Sequence, residues 1–317
     1  MPIIEVRAPG LLTTVQDLGR EAFGPLGVSP SGAADAISLR VGNRLVGNPE
    51  SAAGLEMTLL GGTFLFPDGA IVALAGSDFG ATLDETSVAP WRSVSVHPGQ
   101  TLRLGPTRSG ARCYLCVQGG ISVKPFLGSA STHLLSGLGG YHGRPLKKGD
   151  VLPIGVPDYA AIDHTFRERK LSLAALKRLA PRKILRVTPG PQSDLFSAAS
   201  RKLFFSSTYR ISEESNRMGL RLDGPFLIPP SGQMITEGVS LGAVQITAAG
   251  LPIILFVEQQ TTGGYPKIAN VISADMASVG QLRPRDEIRF EVVSWKMARA
   301  LFIEQEELLS SKNLLIP

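Results

Sequence analysis

A chain of 317 residues is long enough for two domains of ordinary size, each with its own hydrophobic core. Its net charge of +5 comes from scattered Lys and Arg residues, without the basic stripe and interleaved aromatic residues of a nucleic-acid-binding protein. The first residues lack a basic segment followed by an apolar one, and no apolar run reaches the length of a membrane span. We therefore expect a cytoplasmic protein with no membrane anchor and no nucleic-acid partner.

Glycine and proline are frequent, with 35 and 23 residues, which predicts short strands joined by turns. The first strand is predicted over Ile3–Leu12, and a glycine-rich loop follows over Thr13–Gly32. We expect a helix next, because Ser31 can cap its start and Gly47 can end it. The apolar residues that recur at helical spacing are Ile37, Val41 and Leu45.

Runs of β-favouring residues follow, separated by Gly, Pro, Asp or Ser at intervals of about ten residues, as in β-sandwiches and β-barrels. Cys113 and Cys116 lie in one of these runs, on opposite faces of the predicted strand. We expect buried thiols there, and neither a disulfide nor a redox pair. The cysteines and the four histidines lack metal-ligand spacing, so no metal site is predicted.

A charged, glycine-poor stretch over residues 157–183 predicts a linker, with a short helix near residues 171–179. At the end of the chain, apolar residues recur at helical spacing. This pattern predicts an amphipathic helix over residues 295–317 that packs on a barrel or on a partner.

Strand-like runs continue on both sides of the predicted linker. Residues 282–290 loosely echo residues 146–154, as expected for a duplicated barrel. We therefore predict a mainly β fold with two β-barrel lobes, an N-terminal lobe over residues 1–156 and a C-terminal lobe over residues 184–294.

Polar residues are concentrated in glycine-rich segments of the first half. The segment TTVQDLGR offers Gln16, Asp17 and Arg20, and the segment GSAST offers Ser131 and Thr132. These groups are candidates for binding a polar ligand, and the helix start that follows GVSPSG is a candidate anion site. The alternatives are a turn capped by the aspartate, a surface ion pair of the arginine, ordinary helix capping and a long connection over the barrel.

In the second half, Asn216 and Arg217 precede a glycine, and an arginine is a natural bidentate partner for a carboxylate. A surface ion pair is the alternative. The segment EQQTTGGYPKI follows an apolar strand, and its succession of polar residues is hard to explain by packing, so we favour function. Its candidate residues are Gln260, Thr261, Thr262, Gly263, Gly264, Tyr265 and Lys267.

No phosphate loop with the spacing GxxxxGK[ST] occurs in the sequence. ATP, if it is used, is therefore expected to be held largely by another chain. No Ser/His/Asp order or paired-carboxylate motif stands out, so nucleophilic and glycosidic hydrolysis have no positive support.

The same segments resemble, in order, those of the C subunits of 5-oxoprolinase, a family also called KipA-like or allophanate hydrolase subunit 2 proteins. The shared motifs are PGLLTTVQDLGR, GVSPSG, NRLVGNP, LEMTLLGG, GGISVKPFLGSAST, GLGGYHGRPLKKGD, TPGPQ, SNRMGLRL, EGVSLGAVQI and QTTGGYPKIANVISAD. The resemblance runs from near the first residue to about residue 290, and QTTGGYPKI is its most specific motif.

The resemblance implies a cyclophilin-like β-barrel architecture. It also implies a heteromeric complex with KipI-like and LamB-like partners, which are the B-type and A-type subunits of the enzyme. The implied activity is ATP-dependent hydrolysis of 5-oxo-L-proline to L-glutamate. One alternative is the carboxyltransferase component of a biotin-dependent carboxylase of the urea or allophanate type. Another is a non-enzymatic, KipA-like regulator that binds a KipI-like kinase inhibitor.

For oxoprolinase chemistry, the segments described above suggest roles for the candidate residues, whereas the family name alone assigns none of them a step. Lys267 and Tyr265 are expected near the developing negative charge, and Asp17 is expected to position a donor or to act as a base. Arg217 or Arg20 is expected to hold the substrate carboxylate. The other predicted substrate-binding residues are Gln16, Ser131, Thr132, Asn216, Gln260, Thr261, Thr262, Gly263 and Gly264.

The chain departs from the family pattern at two places. His133 follows GSAST where an acidic residue is common, and GSDF replaces a GADL-like string. If that acidic residue contacts the substrate, substrate specificity is expected to differ in this chain.

Overall fold

Short strands are the most numerous regular elements of the computed structural model, which describes residues 1–156, 168–230 and 234–317. The first part of the predicted linker, residues 157–167, lies outside the described residues.

The chain divides into two compact units. Unit 1 consists of residues 1–20, 31–180 and 309–317, and unit 2 consists of residues 21–30 and 181–308. The change of unit after residue 180 falls inside the predicted linker of residues 157–183. Residues 21–30, near the start of the chain, belong to unit 2, and residues 309–317, at its end, belong to unit 1. The composition of these two segments does not indicate the unit to which each belongs.

The described residues contain five α-helices: α1 (Ala36–Leu45), α2 (Leu173–Arg178), α3 (Ala198–Ser206), α4 (Met276–Gly280) and α5 (Trp295–Ser310). The short helix predicted near residues 171–179 is α2, and the Ser172 side chain caps it by accepting from the N–H of Ala175. The final helix, predicted over residues 295–317, ends at Ser310 and is followed by a short strand.

Helix α1 begins later than predicted, and its cap is a different residue. Asp35 is the capping residue, because its side chain accepts a 2.9 Å hydrogen bond from the N–H of Ser38. The predicted cap, Ser31, has a positive φ of 58° and donates its hydroxyl to the carbonyl oxygen of Thr132. A capping side chain must lie within one turn of the N–H that it accepts from, and Ser31 is too far from the first turn. Gly47 ends the helix with a φ of 79°.

The strands are, in chain order, β1 (Ile3–Ala8), β2 (Leu12–Gln16), β3 (Gly54–Thr58), β4 (Thr63–Phe66), β5 (Ala70–Gly76), β6 (Thr82–Leu83), β7 (Thr86–Ser87), β8 (Arg92–Val96), β9 (Gln100–Arg103), β10 (Arg112–Val117), β11 (Val151–Pro153), β12 (Lys170–Leu171), β13 (Ile184–Pro189), β14 (Tyr209–Ile211), β15 (Gly219–Asp223), β16 (Glu237–Gly238), β17 (Ala243–Ile246), β18 (Pro252–Leu255), β19 (Thr262–Gly263), β20 (Lys267–Val271), β21 (Glu287–Val292) and β22 (Leu315–Ile316).

Within the described residues, unit 1 arranges its strands in two sheets. One has six strands in the order β11-β1-β4-β9-β6-β7, and the other has seven in the order β2-β3-β10-β5-β8-β12-β22. The single strand predicted over Ile3–Leu12 is in fact two strands, β1 and β2, in different sheets. Pro9 has no N–H for a ladder and Gly10 turns the chain with a φ of 75°, so one straight strand cannot continue through them.

The hydrophobic core of unit 1 is built from residues of both sheets, including Ile4, Val6, Val15, Leu55, Met57, Phe64 and Phe66. Strand β10 is buried along its whole length. Cys113 belongs to the core, whereas the thiol of Cys116 lies 3.7 Å from the carbonyl oxygen of Leu39 in α1. Both thiols are free, and burial raises the pKa of each well above its usual value.

Unit 2 closes a ring of strands in the order β13-β20-β17-β18-β15-β14-β21, counted over its described residues. The ring closes because β13 pairs in parallel with β21, where Leu185 lies opposite Phe290, and pairs antiparallel with β20 on its other edge. A short ribbon of β16 and β19 accompanies the barrel. The predicted mainly β fold with a barrel is confirmed, and unit 1 differs from unit 2 in carrying two sheets.

Candidate active site

Lys267 lies at the start of β20 in unit 2 and is only 4% exposed. Its Nζ forms an ion pair with Glu237 Oε1 at 2.6 Å, and Gln192 Nε2 donates a 2.6 Å hydrogen bond to the same oxygen. The hydrogen bond from Lys267, together with that from Gln192, lowers the pKa of the Glu237 carboxyl. A buried ammonium is thus paired with a carboxylate that is ionised at neutral pH and partly exposed.

The motif TPGPQ, which begins in the last two residues of β13, explains how Gln192 reaches this pair. The N–H of Gly190 donates to the carbonyl oxygen of Ile268 at 3.0 Å, and a Cβ at Gly190 would collide with the carbonyl oxygen of Lys267. A glycine therefore lets the chain run directly against β20. Gln192 Oε1 then accepts a 3.1 Å hydrogen bond from the N–H of Lys267.

Gln245 of β17 lies directly opposite Lys267 of β20 in the antiparallel ladder, at a bulge that follows Val244. Opposite residues of a ladder project from the same face of the sheet. Gln245 is only 2% exposed, and its Nε2 has no hydrogen-bond partner among the described residues. We call Gln192, Glu237, Gln245, Gly263 and Lys267 the Lys267 cluster.

Gly263 joins the cluster because its missing side chain leaves room for two amide groups. A Cβ at this position would lie 2.6 Å from Gln245 Nε2 and 2.8 Å from Gln260 Nε2. Gly263 lies on β19, opposite Glu237 of β16, so the ribbon brings its backbone beside the ion pair. Gln259 is buried here as well, and its Nε2 donates to a carbonyl oxygen of the loop that follows β16.

The remaining predicted residues of this segment surround the ribbon. Thr261 is partly buried, and its carbonyl oxygen accepts a 3.1 Å hydrogen bond from the N–H of Val239. Tyr265 is 43% exposed. The exposed members of the predicted set are Gln260, Thr262, Gly264 and Tyr265. The structure thus brings the residues of QTTGGYPK together with Glu237 and Gln192, and their predicted functional roles stay predictions.

Arg217 is buried next to the end of β18 and forms an ion pair with Glu258, with 2.5 Å between Nε and Oε1. The N–H of Glu258 donates to the carbonyl oxygen of Arg217, so backbone and side chains join the same two residues. Asn216 is exposed, and its side chain accepts from the N–H of Met218 in a local turn. The predicted role of Arg217 in holding a substrate carboxylate stays a prediction, and the structure shows its protein partner.

In unit 1, Asp17 accepts four hydrogen bonds. Its Oδ1 accepts from the hydroxyls of Ser129 and Ser131, each at 2.6 Å, and from the N–H of Gly19 at 2.8 Å. Its Oδ2 accepts from the N–H of Ala130 at 2.6 Å. These bonds tie the end of β2 to the GSAST loop. The arrangement favours a positioning role, and the predicted role of Asp17 as a base stays untested.

Arg20 strengthens the same connection from its buried position. Its Nη2 donates to the carbonyl oxygen of Ser131 at 2.5 Å, and its guanidinium lies 5.6 Å from the centre of the Phe126 ring. Gln16 donates from Nε2 to the carbonyl oxygen of Thr132 at 3.1 Å. The predicted residues of the first half therefore form one buried group in unit 1, and the role of Arg20 toward a substrate carboxylate stays a prediction.

A cleft of about 520 Å³ lies beside this group in unit 1 and is bounded by residues 122–126 and 139–143. Its lining includes Lys124, Tyr141 and His142. His133 is buried, and its Nδ1 accepts from the N–H of Ser136, so this residue stabilises a turn next to the GSAST loop.

Four residues of the site were not among the predicted candidates, namely Gln192, Glu237, Gln245 and Gln259. Gln192 and Gln245 lie in the motifs TPGPQ and EGVSLGAVQI, which the family resemblance already contained. Glu237 begins the second of these motifs. Local sequence patterns do not show that Gln192, Glu237 and Gln245 contact or face Lys267, because those relationships depend on the tertiary structure. Gln259 adjoins the predicted residue Gln260 in the segment EQQTTGGYPKI.

Metal-ligating side chains are not clustered in the part of the chain that the structure describes. It contains no group of three or more His, Cys, Asp or Glu side chains that could hold a metal ion. None of the helices among the described residues is long and apolar enough to cross a membrane.

Comparison with known proteins identifies relatives over nearly the whole chain. Residues 26–292 match the family described as carboxyltransferase domain, subdomain A and B. The chain is 38% identical to the 5-oxoprolinase C subunit of Escherichia coli strain K12, over 96% of this chain and 95% of that protein. It is 36% identical to the 5-oxoprolinase C subunit of Haemophilus influenzae, over 91% and 90% of the two chains.

A solved structure supports the same relationship. The crystal structure of the K. lactis urea amidolyase superposes on 99% of this chain with a TM-score of 0.89 and 33% identity. The chain spans only 21% of the length of that protein. The family model matches most of the residues, and the chain covers the two C subunits almost end to end. The chain therefore belongs to the carboxyltransferase domain family, subdomain A and B, and within it to the C subunits of 5-oxoprolinase.

Proposed function

We propose that this chain works as the C subunit of an ATP-dependent 5-oxoprolinase, which hydrolyses 5-oxo-L-proline to L-glutamate. The two relatives that it covers almost end to end are both named as the C subunit of 5-oxoprolinase. The Lys267 cluster carries the proposal within the structure, because it sets a buried ammonium group on the same strand face as the amide of Gln245.

The proposed reaction breaks the amide bond of a five-membered lactam. Water supplies a hydroxyl group to the carbonyl carbon and a proton to the ring nitrogen, which gives the side-chain carboxylate and the amino group of glutamate. In the same cycle a second water converts ATP to ADP and phosphate. Attack on the lactam carbon concentrates negative charge on the carbonyl oxygen, and positioned donors in a site that excludes water stabilise such charge.

Lys267 is the donor that this chemistry would use first. Its ammonium is buried, and Glu237 and Gln192 hold its position through the ion pair and two further hydrogen bonds. A preorganised cation needs little rearrangement when charge develops, which is the physical basis of its contribution to rate. Tyr265 is exposed nearby in sequence and would contribute its hydroxyl from the rim of the site.

The other predicted groups enter the proposal as binding residues. Gln260, Thr261, Thr262 and Asn216 would bond the planar amide, and Arg217 or Arg20 would hold the substrate carboxylate. For Arg217 this requires that Glu258 share the guanidinium with the substrate, since Nε already donates to that carboxylate. Asp17 would act by positioning the GSAST loop through its four accepted hydrogen bonds.

Assembly with other proteins is part of the proposal. The relatives are named as one lettered subunit of an enzyme, which implies a complex with further subunits. We propose that the partners are the KipI-like (B-type) and LamB-like (A-type) subunits, and that ATP is shared with them or held by them. The absence of a GxxxxGK[ST] phosphate loop from this sequence is compatible with that division.

Carboxyl transfer is the second candidate function. It is favoured by the family description and by the close superposition on a urea amidolyase. In that reaction a biotinylated carrier would deliver the carboxyl group, and the Lys267 cluster would bind an amide-like acceptor. The carrier and biotin would come from another protein.

The test uses this chain co-expressed with its KipI-like and LamB-like neighbours. Glutamate and ADP release from 5-oxo-L-proline and ATP are measured together, and each of the three proteins and ATP are omitted in turn. We expect equal release of both products, lost when this chain is omitted.

Two results would contradict the proposal. A stable complex that releases no glutamate, but carboxylates an amide in the presence of bicarbonate and a biotinylated carrier, would establish carboxyl transfer. A complex that turns over neither substrate, but withdraws the KipI-like protein from a kinase, would establish regulation.

A further inference from the structure

The side-chain amide of Gln245 is one of the buried polar groups in the described part of unit 2 that have no hydrogen-bond partner, together with the hydroxyls of Ser29 and Tyr209 and with Gln259 Oε1. Gln245 lies on β17 of the closed barrel, between β20 and β18, and is 2% exposed. Its Nε2 has no hydrogen-bond partner among the described residues. A buried amide N–H without a partner lowers the stability of the folded protein, so its presence calls for a specific explanation.

The surroundings of Gln245 are those of a binding position. Lys267, its direct cross-strand partner, carries the buried ammonium. Gly263 has no side chain, and the position that a Cβ would occupy there lies 2.6 Å from Gln245 Nε2 and 2.8 Å from Gln260 Nε2. Two amide groups are therefore set around one glycine of the ribbon, and the ammonium group of Lys267 is paired with Glu237, the cross-strand partner of that glycine. This neighbourhood is rich in donors, which suits a ligand that offers acceptor oxygens.

We infer that Gln245 is a substrate-binding residue, whose Nε2 donates a hydrogen bond to the carbonyl oxygen of a cyclic secondary amide held on the Lys267 cluster. The inference rests on the proposed function and deepens it by naming the group that recognises the lactam. A site built to bond a carbonyl oxygen rejects ligands that lack it, because its donor is then left without a partner. Gln245 therefore sets specificity for the lactam, and Lys267 stabilises charge on the same oxygen during attack.

A binding role and a structural role of Gln245 differ in their effects on stability and kinetics. Gln245→Met removes the amide and keeps the length of the side chain. Because the amide N–H has no protein partner among the described residues, we expect an unchanged or raised Tm for the isolated chain. In the assembled complex we expect KM for 5-oxo-L-proline to rise about tenfold, as for loss of one neutral hydrogen bond, with a smaller change in kcat.

Gln305→Met is the matched control. Gln305 lies on α5 in the same unit, and its Nε2 donates to the carbonyl oxygen of Ala274 at 3.0 Å. We expect this variant to lower Tm and to leave KM unchanged, the reverse of the result for Gln245→Met. The pair thus compares the same substitution at a glutamine that the fold uses and at one that it does not.

A fall in Tm for Gln245→Met, or an unchanged KM in an active complex, would overturn the inference. Gln245→Glu provides a second test, since a carboxylate oxygen replaces the donor and would repel the carbonyl oxygen. We expect a larger rise in KM for it than for the methionine variant, and equal KM values would also count against the inference.

A wild-type complex that releases no glutamate would refute the proposed function and the lactam assignment together. In that case an unchanged Tm for Gln245→Met would still identify a donor that the fold does not use. The Tm result therefore separates failure of the proposed function from failure of the inference about Gln245.

Discussion

Gln245 and Lys267 face each other across strands β17 and β20, as direct partners in the ladder of the barrel. One carries an amide donor with no partner among the described residues, and the other carries an ammonium group held by Glu237. Cross-strand partners have fixed separation and a common face, so this relationship is built into the barrel and does not depend on a flexible loop.

Lys267→Met should remove most of the activity of the assembled complex. The substitution keeps the length of the side chain and removes the charge. Loss of a positioned donor to a developing oxyanion lowers kcat by about 100-fold or more. Glutamate release at saturating 5-oxo-L-proline measures this effect.

Lys183→Met is the control for Lys267→Met, because Lys183 forms an ion pair with Asp286 in the same unit and is 63% exposed. We expect its kcat to match that of the wild type. Equal losses in the two variants would show that a general effect of lysine replacement, and not a site at Lys267, accounts for the result.

Gly263→Ala should impair activity through the two amide groups beside it. A Cβ there would lie 2.6 Å from Gln245 Nε2 and 2.8 Å from Gln260 Nε2, so both side chains must move. We expect kcat/KM to fall by about tenfold, equivalent to one lost hydrogen bond, with little change in Tm because side-chain ends can shift.

Gly238→Ala lies on the paired strand β16 and is the control for Gly263→Ala. A Cβ at Gly238 would have no heavy atom within 4 Å, apart from its own chain neighbours. Its kcat/KM should equal that of the wild type. Wild-type kinetics in Gly263→Ala would remove the two glutamines from the proposed site.

Asp17→Asn should destabilise the protein. One of the two oxygens is replaced by an NH₂ group, which cannot accept the hydrogen bonds made to that oxygen, either those from Ser129, Ser131 and Gly19 at Oδ1 or that from Ala130 at Oδ2. We expect the free energy of unfolding to fall by about 2 kcal/mol, as for lost hydrogen bonds to a charged group. Urea unfolding measures this loss, and Asp194→Asn, at a fully exposed aspartate, should show none. Unchanged stability with abolished turnover would instead support the role of Asp17 as a base.

The Arg144–Asp150 pair should make stability depend on pH. The hydrogen bonds from Arg144 lower the pKa of Asp150 below its ordinary value of 3.8. A group with a lowered folded pKa stabilises the protein above its unfolded pKa, and the stabilisation disappears as the pH falls through the folded value. Arg144→Met should therefore reduce the free energy of unfolding by about 1 kcal/mol at neutral pH, with the difference vanishing below the folded pKa. A difference that stays constant down to low pH would contradict this origin.

Cys113 and Cys116 should resist thiol reagents in the native protein. Both are fully buried, and burial raises the pKa of each thiol, so little thiolate forms at neutral pH. We expect labelling by a thiol-reactive dye to require denaturant. Rapid labelling of the folded chain would show that β10 opens readily.

The sequence by itself determined the class of fold and the family. Short apolar runs punctuated by glycine and proline predicted a mainly β protein, and the barrel of unit 2 confirms it. Such patterns are local, because alternation and turn residues act within a few positions along the chain. The motif QTTGGYPKI also predicted Lys267 as a candidate residue.

Only the tertiary structure decided which residues accompany Lys267. Gln192 precedes Lys267 by 75 residues, whereas Glu237 and Gln245 share the motif EGVSLGAVQI. Pairing of β17 with β20 and side-chain contacts from Gln192 and from the ribbon residue Glu237 bring them to Lys267. Backbone geometry at single residues likewise decided that Asp35, and not Ser31, caps α1 and that β1 and β2 are separate strands. Pairing partners depend on strand order and register, which are long-range properties that no local pattern encodes.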